Sequence, residues 1–176
     1  MFASIEVIRM VAAVAKDATY GVNAQIAALA LDGADARPPV LTAILNEADE
    51  NVTIDSKPSA GWPIGAIVED DEGIEATPEA VVGYRRMIVG IAFVIVTDAA
   101  GGPLNWRRAK YTGQAFVNSM EEGLLAPGRL ETAGVRNNVQ ILQATSLNTS
   151  SLEAAIGQAR FKGVVRYRFE VEHNNL

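Results

Sequence analysis

Apolar residues recur at helical spacing near the start of the chain. Ile5, Ile8, Val11, Ala12 and Ala15 share one face of a helix expected from about Ile5 to Ala18, with Ser4 as its cap. Glu6 in the first turn and Lys16 in the last suit the helix dipole. Thr19-Tyr20-Gly21 breaks the pattern, and a shorter helix is expected from Asn23 to Leu31, with Ile26, Leu29 and Ala30 facing in and Asp32-Gly33 ending it.

The pattern then changes period. Pro38-Pro39 forces extended backbone, and Val40 to Leu45 reads as a strand entering from it. Residues 46–60 are polar and turn-rich, with a short extended piece at Val52-Thr53-Ile54. Trp62 to Val68 reads as another short strand, and Glu69-Asp70-Asp71-Glu72-Gly73 as an exposed turn. Val81 to Thr97 is the clearest strand. Its stretch from Ile88 to Val96 is apolar without alternation, which predicts cover on both faces.

Pro103 is suited to opening a helix. Leu104 to Leu125 follows, with Ala109, Thr112, Phe116, Met120 and Leu124 on one face, and Pro127-Gly128 stops it. Val135 to Leu147 has extended character, and Ser150 to Ile156 reads as a helical turn. Phe161 to Val171 alternates cleanly: Val165, Tyr167, Phe169 and Val171 against Arg166, Arg168, Glu170 and Glu172. That is a half-buried, antiparallel strand. This order predicts a single α+β domain over residues 1–176, with a mixed or antiparallel sheet and helices packed on one face.

Composition narrows the function classes. A chain of 176 residues with 49% apolar residues is long enough for one real core. The absence of cysteine excludes disulfides, thiolate metal sites and cysteine nucleophiles. The longest apolar run, Met87 to Val96, falls far short of the roughly 20 residues of a membrane-spanning helix. The start has no basic segment before its apolar residues, so a secretory signal is not expected, and a soluble cytoplasmic chain is. The net charge of −6 is unevenly spread: residues 1–80 hold 4 Lys/Arg and 14 Asp/Glu (−10), and residues 81–176 hold 11 and 7 (+4). Either folding mixes the halves across one surface, or an acidic face of one copy meets a basic face of the next.

Candidate chemistry is sparse. His173, the one histidine, lies three residues from the end, a poor place to hold a catalytic or metal-binding group. Glu69, Asp70, Asp71 and Glu72 form the densest carboxylate cluster, but the spacing of a calcium loop is absent. Gly101-Gly102-Pro103 precedes a helix without the residues of a phosphate loop. No GxSxG and no candidate base support covalent catalysis. No catalytic, cofactor or metal residue is therefore assigned. A hydrolase or transferase working through carboxylates alone, for example Glu69 with Asp71 on a metal, is the residual enzymatic reading.

The order of elements resembles a known family. An initial helix, the stretch Gly-Val-Asn-Ala-Gln-Ile-Ala-Ala-Leu at residues 21–29, a Pro-Pro strand entry, a long apolar strand, a helix and a final alternating strand are similar to the tail-terminator and neck (head–tail joining) proteins of tailed bacteriophages. The resemblance implies a virion structural subunit, assembled in the host cytoplasm, that forms a ring, commonly hexameric. Such a ring caps the tail tube and meets neck or portal proteins, and DNA passes through its lumen without sequence-specific binding.

Within that reading, the helix starting at Leu104 is expected to supply a subunit contact through Trp106, Arg107, Arg108 and Tyr111, residue types enriched at interface hot spots; the alternatives are a solvated helix face with Trp106 packed on its own core, or a nucleic-acid contact. The opposing surface is expected to be acidic, with Glu47, Asp49 and Glu50, or Glu69, Asp70, Asp71 and Glu72, as candidates. The alternative is a small-molecule or peptide-binding α+β module, its pocket between helices and sheet near Trp62 or Tyr84.

Overall fold

A computed structural model describes residues 2–33, 35, 37–50, 52, 63–70, 80–81, 84–98, 103–154 and 160–174. Among these described residues, three helices and seven strands run in the order α1 (Phe2–Ala15), α2 (Val22–Ala28), β1 (Ala43–Asn46), β2 (Ile64–Glu69), β3 (Ala80–Val81), β4 (Tyr84–Asp98), α3 (Pro103–Met120), β5 (Val135–Arg136), β6 (Val139–Ala154) and β7 (Arg160–Asn174). A π-helical turn, Glu121–Leu125, extends α3.

One mixed sheet has the order β1-β2-β4-β7-β6-β5, and β3 pairs with the start of β4. β1 and β2 are parallel, while the pairs β2–β4, β4–β7, β6–β7 and β5–β6 are antiparallel. α1, α2 and α3 share one core cluster with a single face of this sheet, so the fold is α+β with helices packed on one face.

Side-chain period explains which face meets the helices. Ile67, Phe93 and Val165 are neighbours in register across β2, β4 and β7, and all are buried in the helix-side core. An aromatic chain ties α3 to the sheet: Phe116 stacks on Phe93 at 4.1 Å and meets Tyr167 edge-on at 5.9 Å. Gly65 makes the Phe93 position available, since a Cβ there would lie 2.6 Å from the Phe93 ring. The continuous run in β4 is buried on both faces, as its lack of alternation predicts. Ile91, Phe93 and Ile95 face the helices, and Ala92, Val94 and Val96 join Leu45, Ile64, Ala66 and Val164 on the other side, with Val52 packed against them.

Several boundaries move. α1 starts at Phe2, so Ser4 is a buried helical residue and not the cap. It ends at Ala15 because Asp17 Oδ1 accepts the Thr19 and Tyr20 amides at 2.7 and 2.8 Å, closing a turn that competes with the helix. α2 stops at Ala28, which leaves Ala30 exposed. β1 begins only at Ala43, and Val40 is 55% exposed. The expected turn at Ser150 to Ile156 is corrected: Ser150 to Ala154 belong to β6, where pairing such as Ser151 with Val164 and Ala154 with Phe161 overrides local preference. Thr53-Ile54, Trp62, Asp71 to Gly73 and Gly101-Gly102 lie outside the described residues.

Candidate interaction surface

The basic start of α3 is engaged by its own chain. Arg107 Nη1 donates to Asp35 Oδ1 at 3.0 Å, and the Tyr111 hydroxyl donates to Asp35 Oδ2 at 2.9 Å. The same hydroxyl accepts the Asp32 amide at 3.1 Å. That amide bond acts to lower the phenol pKa, but the Asp35 carboxylate and burial outweigh it, and the net shift is upward. Arg107 nevertheless keeps 63% of its side chain exposed, and Arg108 is half-buried. Trp106 lies in α3, with its side chain outside the described residues.

Three of the acidic candidates, Asp49, Glu50 and Asp70, are likewise paired at home. Asp49 accepts Arg9 Nε at 2.9 Å, and Glu50 lies 3.5 Å from Lys16. Asp70 pairs with Arg166 at 3.2 Å on the helix-free face, while Glu69 ends β2. Asp71 and Glu72 lie outside the described residues. A buried carboxylate, Glu6, takes Arg9 on one oxygen at 2.9 Å and Arg136 on the other at 2.8 Å, joining α1 to β5. The pairs Arg107–Asp35, Arg136–Glu6 and Arg166–Asp70 join the acidic first half of the chain to the basic second half, so folding mixes the two across one surface.

α3 and its π-helical turn keep a charge gradient of their own. Arg107 and Lys110 are exposed near the start, and Glu121 and Glu122 are exposed at the end. This order opposes the helix macrodipole, which favours acids first and bases last. The macrodipole therefore does not account for it, although Glu122 Oε2 accepts Gln25 Nε2 at 2.8 Å and ties this end to α2.

The second notable surface is a sheet border. β5 covers β6 only at Val139 and Gln140, and the Ile141 amide donates to the Gly134 carbonyl at 2.8 Å. Beyond that point, among the described residues, β6 pairs on one side only, with β7. Register irregularities at Ile141/Gln143 and Leu147/Ser151 leave Gln143 to Leu147 as a regular open stretch. Gln143, Thr145 and Ser146 are exposed, and Ala144 packs partly on the core. Residues 137–152 contain no charged side chain and no proline. Charged side chains and proline are two of the features that blunt edge strands; bulges are a third, and here they flank the stretch without interrupting it. The other border is guarded: Asn23 bonds both the amide and the carbonyl of Leu41, and the Asn46 carbonyl accepts the Asp49 and Glu50 amides. The uncharged run from Asn137 to Leu152 is the sequence signal for the open edge.

Among the described residues, no group of three His, Asp or Glu is placed to hold a metal, and no helix is long and apolar enough to cross a membrane. Compared with models of known protein families and with curated proteins, the sequence matches none.

Proposed function

We propose that this protein is a structural subunit of a phage head–tail connection, a tail-terminator ring that caps the tail tube and joins it to the neck. One observation carries the reading: the order of elements on which the family resemblance rests. Two N-terminal helices, a strand entered from Pro38-Pro39, a long apolar strand, a helix and a final alternating strand follow one another around a single sheet.

A ring needs two unlike surfaces that meet head to tail. The exposed basic start of α3 and its exposed acidic end are such a pair, and their order runs against the helix macrodipole. The basic end of one subunit meets the acidic end of the next. Complementary charge of this kind fixes orientation more than it adds affinity.

Mass photometry and negative-stain imaging test the proposal. Rings form, alone or when tail tubes are added. A chain that stays monomeric and never joins tubes or portal complexes overturns it.

A further inference from the structure

We propose that the open edge of β6 pairs with the same edge of a second copy, antiparallel, across a two-fold axis centred on Thr145. The inference stands on the edge itself and not on the ring reading.

An edge strand presents a row of unpaired amides and carbonyls, a template for another strand. Two properties fit this edge to a second copy. The first is charge. Antiparallel self-pairing places each residue near its own counterpart, and like charges in direct opposition are destabilising. From Asn137 to Leu152 there is no charge to oppose. The second is register. Pairing about Thr145 puts Gln143 opposite position 147, Ala144 opposite Ser146 and Thr145 opposite Thr145. Ala144 and Ser146 face the helix side with their β7 partners Phe169 and Tyr167, while Gln143 and Thr145 lie with Glu170 and Arg168 on the other. Each copy's two faces therefore continue into the other's without a slip. Facing threonines form a favourable cross-strand pair. The β1 border does not compete, because Asn23 and the turn after Asn46 occupy its flanks.

A two-fold contact cannot itself close a rotational ring. It joins free chains as dimers, or one ring to another, beside any head-to-tail contact through α3.

The chain has no cysteine, so a single Thr145→Cys change reports on one contact. Directly opposed residues sit about 4.5–5.5 Å apart at Cα, within reach of a disulfide. After mild oxidation the Thr145→Cys protein runs as a covalent dimer on a non-reducing gel. Gln143→Cys, opposite position 147 and not itself, stays monomeric. In sedimentation velocity, Thr145→Lys, an exposed substitution, shifts the dimer to monomer at low salt while circular dichroism is unchanged. A Thr145→Cys protein that does not crosslink, equal crosslinking of both variants, or a Thr145→Lys protein as dimeric as the parent overturns the proposal. Rings on tail tubes persist in Thr145→Lys, which separates this inference from the functional reading.

Discussion

The Tyr111 hydroxyl donates to Asp35 Oδ2 at 2.9 Å and so ties α3 to the segment that follows α2. With Arg107 on the other oxygen of Asp35, the start of α3 is held in place before any partner arrives. Tyr111→Phe removes that donor together with the acceptor for the Asp32 amide, and the urea midpoint falls. The raised phenol pKa means the fold favours the protonated form. The wild-type advantage is therefore complete below the ordinary tyrosine value, about 10, and is lost as pH rises beyond it. Urea titrations of both proteins at neutral and strongly alkaline pH check the sign.

Changing Arg107 and Arg108 together to glutamate breaks the Arg107–Asp35 pair at some cost in stability but leaves the domain folded, because Arg107 is largely exposed and Arg108 only half-buried. It makes α3 acidic at both ends, and head-to-tail assembly weakens at low salt. Adding Glu121→Lys and Glu122→Lys restores opposite ends and recovers assembly. Mass photometry of the parent, the double and the quadruple variants reads this directly. Equal assembly by all three removes α3 from the contact.

The aromatic chain between α3 and the sheet bears much of the packing. Phe116 is 1% exposed and stacks on Phe93. Phe116→Ala costs about 3–5 kcal/mol, as large-to-small core changes do. Gly65→Ala drives a methyl into the Phe93 ring and costs about 1–3 kcal/mol. Chemical denaturation of both variants measures these losses.

The sheet's faces were far more legible than its borders. The alternation from Val165 to Val171 and the unbroken run in β4 each name a face correctly, because side-chain direction has a period of two in any strand. The inward face of α3, from Ala109 to Leu124, follows as directly from helical spacing. What propensity misses are pairings set from a distance. The end of β6 looks turn-like alone and becomes strand because β7 lies beside it. The partners of Arg107 and Tyr111 come from Asp32 and Asp35, more than 70 residues earlier, and no local pattern announces them.

Asp17 provides a second test of sign. The Tyr20 and Thr19 amides donate to its carboxylate and hold its pKa below the usual value. A lowered carboxylate pKa stabilises above the unfolded value, about 4, and that contribution disappears as pH falls through the folded one. The stability difference between wild type and Asp17→Ala is thus widest near neutrality and narrows in acid. A difference that widens below pH 4 contradicts the turn's role.

The central claim is that this chain ends a tail tube. Tube subunits polymerised with and without the purified protein, then imaged in negative stain, test it most directly. With the protein present, tubes stop growing and carry a ring at one end. Tubes of unchanged length with bare ends contradict the claim.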